Sequence, residues 1–318
     1  VLAPFFTGAI GFMTLAAARG FTLILSAFDP QKVLEIIEKE KIDYTMFVPT
    51  MTARLVKLPE VHKYDLSSLK HVITSGAPIS EALVREACKV LFNGELRFVF
   101  TYGTTETALG GCQLQPEEVS LEGPTSRRLT SVGKAMIGME IRVVDEEGRE
   151  VEPGSNQVGE IIVKGDTVGI GYWGLPENEE LKEGMWRSGD LARVDEDGYI
   201  YIVDRKKDMI LTGGANVYPR EVEDVLSAHP AVMHCAVIGV PDPEWGERVH
   251  AVIVLREGAS VTEEEIIHFC KQQLASYKCP KSVEFVSLED LPINPSGKIL
   301  KRELRARYWQ RYERKGEV

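Results

Sequence analysis

The chain has 318 residues, 44% of them hydrophobic and 27% charged, a composition of folded globular proteins and too long for one hydrophobic core to fill comfortably. With 37 basic against 48 acidic residues the net charge is −11, which argues against a general nucleic-acid binder, since phosphates need a basic face. The five cysteines are odd in number, form no Cys-x-x-Cys and stand apart from the six histidines, so free thiols in a reducing cytoplasm are expected rather than disulfides or a zinc site.

The first residue is Val1 rather than Met, so a fragment or processed product is expected. Residues 1–18 are almost wholly apolar, which invites a membrane span. Pro4, Gly8 and Gly11 interrupt the run, Arg19 follows it, and no basic residues precede it as a signal peptide requires. A buried helix is the expectation, with no integral membrane association. Residues 21–25 then read as a short buried strand. Asp29-Pro30 caps a helix from about Gln31, with Val33, Leu34, Ile36 and Ile37 on one face. A strand over 44–48 ends at Pro49, and a helix runs from there to about Leu58. A third strand over 69–74 leads to Ser75-Gly76-Ala77-Pro78. Ser80 caps a helix over 81–91, and a fourth strand over 97–100 runs into Tyr102-Gly103. Strand alternating with helix predicts a parallel, doubly wound α/β sheet.

The rhythm changes near Ser131. Short apolar runs over 141–144, 159–164 and 199–203, separated by Glu147-Gly148, Pro153-Gly154, Gly184 and Asp197-Gly198, predict an antiparallel or barrel-like unit. The charged run Asp204-Arg205-Lys206-Lys207-Asp208 marks a boundary. Helices over 220–228 and 262–274 and strands over 232–240, 248–255 and 282–285 then predict a small α+β domain, closed by a basic helix from about Lys301. The segment 298–315 holds eight Lys or Arg against two Glu; a solvated helix face accounts for it better than a nucleic-acid surface.

Four segments carry chemistry. Tyr102-Gly103-Thr104-Thr105-Glu106 ends a strand, where parallel sheets bind ligands. It offers a ring to stack a base, hydroxyls for phosphate oxygens and a carboxylate able to hold magnesium. An ordinary strand-to-helix turn with a threonine cap is the alternative. Trp186-Arg187-Ser188-Gly189-Asp190-Leu191 puts a carboxylate on a tight turn, suited to ribose hydroxyls or simply to solvent. Gly213-Gly214 allows close approach of a backbone to a ligand, and Pro219 suits the first turn of the helix behind it. Finally, Lys298 follows Pro295-Ser296-Gly297. A Walker loop would need glycine at 292, where proline stands, so Lys298 reads as a cation on a loop.

In this order these segments resemble the adenylate-forming superfamily of acyl-CoA synthetases, non-ribosomal adenylation domains and firefly-type luciferases, from about Ala3 to Arg305. Ser131-Val132-Gly133-Lys134, Gly159-Glu160-Ile161, Gly171-Tyr172-Trp173, Gly239-Val240-Pro241-Asp242 and Gly246-Glu247 support the likeness. The resemblance implies the C-terminal part of a large α/β adenylation domain over 1–130, a distorted-barrel subdomain over 131–204, and a small mobile α+β domain over 205–318. It implies an ATP-dependent acid-CoA ligase that forms acyl-AMP and then acyl-CoA, on a fatty or aromatic acid. Gly76, Ala77 and Pro78 would line the adenine, with Tyr102 stacked on it beside Gly103 and Thr104. Thr105 would bind the α-phosphate, Glu106 Mg²⁺, Asp190 the ribose hydroxyls and Arg205 the ribose and phosphate. Lys207 matches the hinge, Lys298 the lysine that stabilises the adenylation step, and Gly213-Gly214 the border of the coenzyme A channel. The partners implied are the acid, ATP and CoA; a homodimer is left open.

The family's Ser/Thr/Gly-rich phosphate loop is not in the sequence, and poor adenylation by these 318 residues alone is expected. An AMP- or CoA-binding module without turnover is therefore a second reading. A carrier-protein adenylation enzyme is a third, although Gly213-Gly214-Ala215-Asn216-Val217-Tyr218-Pro219 looks more like CoA ligases. A luciferase-like oxygenase is disfavoured by Leu211, where such relatives carry lysine.

Overall fold

The computed structural model describes residues 7–174, 180–182, 184–294 and 299–315. The chain divides into two compact units, Val1–Ile202 and Val203–Val318.

In the first unit, helices α1 (Thr7–Arg19) and α2 (Pro30–Glu40) come first. The Asp29 carboxylate accepts the Lys32 N–H at 2.9 Å, capping α2, and Val33, Leu34 and Ile37 are buried. The strand expected over 21–25 is not formed. Those residues lie in irregular backbone, with Phe21 60% and Leu25 70% exposed. Without a ladder partner among the described residues, an extended apolar run has nothing to satisfy its N–H and C=O groups. Next come β1 (Tyr44–Phe47), α3 (Pro49–Val56), β2 (His71–Thr74), α4 (Glu81–Leu91) and β3 (Phe98–Gly103). The three strands are parallel, with Phe47 opposite Thr74 and Thr74 opposite Phe100. Phe47, Val72, Phe98 and Phe100 meet Leu55 of α3 and Val84, Ala87 and Cys88 of α4 in one core. Each fully buried Leu or Phe there contributes about 1.5–3 kcal/mol. β4 (Gly111–Leu114) and β5 (Lys134–Ala135) then add antiparallel strands, giving the order β1-β2-β3-β4-β5.

A second sheet follows, made of β6 (Met139–Val144), β7 (Gly159–Gly165), β8 (Leu181–Lys182), β9 (Met185–Val194) and β10 (Ile200–Arg205), in the order β10-β9-β7-β6 with β8 beside β9. Its β6-β7, β7-β9 and β8-β9 pairs are antiparallel. The Asp145 carboxylate accepts the Glu147 and Arg149 N–H groups and so shapes the turn after β6. Among the described residues the sheet stays open and does not close into a barrel.

The second unit holds β11 (Ile210–Thr212), β12 (Ala215–Val217), α5 (Pro219–Ser227), β13 (Val232–Asp242), β14 (Gly246–Leu255), α6 (Glu263–Lys271), β15 (Ser282–Phe285) and α7 (Lys301–Lys315). Its sheet runs β12-β11-β14-β13, with β15 parallel to β14. β14 is apolar on both faces because both are covered. Val249, Ala251 and Ile253 pack with Val222, Leu226 and Ile266 of α5 and α6, while Val252 and Val254 pack with Leu304 and Tyr308 of α7. The start of α7 is fixed by a buried ion pair: Lys301 Nζ lies 2.8 Å from Glu223 Oε1 on α5.

Candidate nucleotide site

The parallel strand β2 ends at Thr74, opposite Phe100, and β3 runs on beyond that pair to Gly103. Beyond β2 the chain turns away through Ser75-Gly76-Ala77-Pro78. The Ser75 hydroxyl donates to the Thr101 carbonyl of β3 at 3.2 Å, which holds the loop against its neighbour's end.

At the end of β3 no helix follows, so the strand-to-helix alternative is excluded. The Thr104 N–H donates to Thr107 Oγ1 at 3.1 Å, Ala108 and Leu109 take left-handed backbone (φ 47° and 70°), and the chain returns as β4. The turn folds back so tightly that a Cβ on Gly103 would lie 2.6 Å from the Leu109 carbonyl oxygen. Tyr102 is thereby held between β4 and the core of the second sheet, and its hydroxyl donates to Asp190 Oδ2 at 2.8 Å.

Asp190 is not on a solvated turn, as the sequence left open, but inside β9 and 5% exposed. A bulge places it there. The β7–β9 register shifts between Glu160 and Ile162, and Gly189 sits at φ +67°. Around the bulge, the Glu160 carboxylate accepts from Arg187 Nη2 (2.8 Å) and the Gly189 N–H (3.3 Å). The Ser188 hydroxyl donates to the Ile161 carbonyl (2.8 Å) and accepts the Asp190 N–H (3.0 Å). Burial and then the Asp190 charge push the Tyr102 phenol well above its ordinary range, so it remains a donor.

Glu106 is engaged as well. The Tyr172 hydroxyl donates to Glu106 Oε1 at 2.7 Å, and the Gly169 N–H donates to the Glu106 carbonyl at 2.7 Å. Burial, followed by the bond to Glu106, pushes the Tyr172 phenol up to about 12. These two contacts span more than sixty residues of sequence, and no spacing rule links Tyr172 to Glu106.

The remaining candidates belong to the second unit. Arg205 ends β10, its N–H donating to Asp204 Oδ1 at 2.7 Å, and Lys207 is exposed in a single 3-10 turn, Lys206–Asp208. Gly213 and Gly214 form the β11–β12 turn at φ +56° and +80°. The exposed Trp245 packs on that turn: the Gly213 N–H donates to its carbonyl at 2.9 Å, and a Cβ on Gly213 would lie 2.4 Å from its ring. The motif pattern gave no hint of Trp245. Lys298 lies outside the described residues. The structure thus gathers Gly76, Ala77, Pro78, Tyr102, Gly103, Thr104, Thr105, Glu106 and Asp190 in one unit, and Arg205, Lys207, Gly213 and Gly214 in the other. Cys88, Cys112, Cys235, Cys270 and Cys279 are free. Among the described residues no helix is long and apolar enough to cross a membrane.

Residues 1–173 match the family model of the AMP-binding enzymes, and residues 221–298 match the model of the AMP-binding enzyme C-terminal domain. The chain belongs to the AMP-binding enzyme family. Among its curated relatives, a feruloyl-CoA synthase of an Amycolatopsis species is 43% identical over 313 residues, covering 97% of this chain and 61% of the relative. The medium/long-chain-fatty-acid-CoA ligase FadD8 of Mycobacterium tuberculosis is 40% identical over 312 residues, covering 95% and 52%. Among solved structures, ATP-bound MatB from Rhodopseudomonas palustris superposes with a TM-score of 0.85 at 35% identity, covering 98% of this chain and 60% of that one. The chain therefore spans at most about three-fifths of the length of these family members.

Proposed function

We propose that the protein is an ATP-dependent acid-CoA ligase, acting in the cytoplasm, that joins a fatty or aromatic carboxylic acid first to AMP and then to coenzyme A. Family membership and the activities of the named relatives support the reaction class. The observation that carries the site is the buried Tyr102–Asp190 pair at the end of β3, beside the Gly76–Pro78 loop. A ring and a carboxylate held together at a strand's end suit a purine and the ribose attached to it.

In this mechanism Gly76, Ala77 and Pro78 border the adenine, Tyr102 stacks on it and Asp190 accepts from the ribose. Thr105, with Thr104 beside it, binds the α-phosphate, and Arg205 pairs with ribose and phosphate. Glu106 offers a hard carboxylate oxygen, and magnesium commonly takes one or two carboxylates together with phosphate oxygens, so the residue fits the ion. Magnesium bound there would neutralise charge on the phosphates. The acid's carboxylate oxygen attacks the α-phosphorus, and the bond to pyrophosphate breaks. Lys298 steadies the charge that develops. The second unit then turns at Lys207, Gly213-Gly214 borders the incoming pantetheine, and the thiolate attacks the acyl carbon as AMP leaves.

The test is ATP–pyrophosphate exchange and acyl-CoA formation by the complete gene product, over aromatic and fatty acids. Lys298→Ala should slow exchange by about a hundredfold or more while affecting thioester formation from supplied acyl-AMP much less. Absence of acyl-AMP with every acid, or exchange that ignores Lys298→Ala, would overturn the proposal.

A further inference from the structure

We propose that the hydroxyl of Tyr102 is a positioning group: it sets the plane of the Asp190 carboxylate and so makes the site select a ribose with its hydroxyls over a deoxyribose. The inference rests on the reading of Asp190 as the ribose acceptor and adds a role for an atom that base stacking does not use.

The geometry carries it. Asp190 has its backbone pinned on one side by the Ser188 hydroxyl, which accepts its N–H at 3.0 Å, and through Gly189 by Glu160 at 3.3 Å. That leaves the two side-chain torsions, of which the second, about Cβ–Cγ, is broad and weakly restrained for an aspartate. Tyr102 supplies a restraint from another strand 88 residues away in sequence, donating to Oδ2 at 2.8 Å. The tyrosine is itself fixed, opposite Cys112 in the β3–β4 ladder and packed against the core of Ile161, Val163 and Trp186. A carboxylate that must meet two adjacent hydroxyls gains from a fixed plane, because paired hydrogen bonds demand orientation as well as distance. Phenylalanine would stack on a base as well as tyrosine does. A buried phenol does need a partner, and that need alone would account for the contact if the hydroxyl served only packing. The two roles differ in what they do to ligands that lack ribose hydroxyls.

Calorimetric titration of the protein with AMP, 2′-deoxy-AMP, 3′-deoxy-AMP and 2′,3′-dideoxy-AMP separates them. Tyr102→Phe should weaken AMP about tenfold, the worth of a hydrogen bond to a charged group, and leave 2′,3′-dideoxy-AMP within about twofold of the native protein. Asp190→Asn should flatten the discrimination among the four nucleotides, and adding Tyr102→Phe to it should change AMP binding little, because the carboxylate to be positioned is gone. Equal losses for AMP and the dideoxy analogue in Tyr102→Phe, no loss at all, or fully additive losses in the double variant would each overturn the inference. If the native protein binds AMP but does not distinguish these nucleotides, the ribose role of Asp190 fails first and the inference fails with it.

Discussion

Replacing Lys301 by methionine tests how the second unit holds its last helix. Lys301 Nζ lies 2.8 Å from Oε1 and 2.9 Å from Oε2 of Glu223, with both side chains more than four-fifths buried. Glu223 Oε1 also accepts the Val237 N–H of β13 at 2.7 Å, so three elements meet at one carboxylate. Burial alone would lower the Lys301 pKa, but Glu223 and then Asp204 outweigh it, and the lysine is held charged. Burial pushes the Glu223 carboxyl up against the opposing pull of Lys301, a sign that desolvation consumes much of the attraction. Removing one partner of such a pair costs about 3–5 kcal/mol, whereas replacing both by apolar groups is close to neutral. For a unit of ordinary stability, about 5–15 kcal/mol, the single variant loses a large share. With a urea m-value of about 2 kcal/mol/M, the midpoint falls by about 1.5–2.5 M. Trp309, whose indole donates to the Gly239 carbonyl across the same α7–β13 seam at 3.0 Å, reports the transition by fluorescence. The penalty should shrink on acidification. A buried Glu223 without its lysine has its folded pKa raised further, so stability is retained below the unfolded value and lost as pH rises through the folded one. A cost under about 1 kcal/mol for Lys301→Met, or a Lys301→Met/Glu223→Leu double variant as unstable as the sum of its singles, would refute the reasoning.

Gly213→Ala places a Cβ 2.4 Å from the Trp245 ring at a backbone φ of +56°, so a destabilisation of about 1–3 kcal/mol is expected by thermal unfolding. In the assembled enzyme, thioester formation should fall more than pyrophosphate exchange. Tyr172→Phe removes the donor to Glu106 Oε1, and the half-saturating magnesium concentration for exchange should rise a few-fold, about the worth of one hydrogen bond; an unchanged magnesium profile counts against Glu106 as the metal's carboxylate. Glu160→Ala leaves Arg187 and the Gly189 N–H without their shared acceptor, so AMP affinity should drop through a loosened β9 bulge, and Glu160→Gln should restore part of it. Burial pushes the thiols of Cys88 and Cys270 up to about 11 and those of Cys112 and Cys235 up to about 12, from an ordinary value of 9.0. Their contribution to stability is complete below pH 9 and is lost as pH rises from there through 11 and 12, so alkaline unfolding should coincide with the onset of reaction with a thiol reagent.

Much of the local structure was determined by the sequence alone. Helices α2 and α4 start where Asp29 and Ser80 offer an oxygen to the first turn, because capping is a contact between residues three apart. The β1–β3 rhythm and the later shift to short, turn-bounded strands are likewise written in periods of two and three to four residues. The ends of β2 and β3, proposed here as the nucleotide site, could be named in advance for the same reason, since a strand's end and the loop after it are contiguous in sequence. What only the tertiary structure decided is long-range. Residues 21–25 have a strand's composition, but a strand exists only where a neighbour takes its hydrogen bonds. Asp190 looks like a turn residue, yet β7 and β9 pair around it with a two-residue slip, and it is buried there with the Tyr102 hydroxyl on its carboxylate. The Tyr172–Glu106, Trp245–Gly213 and Lys301–Glu223 contacts join segments 66, 32 and 78 residues apart. No spacing rule reaches that far, because burial and distance between such groups are properties of the packed chain.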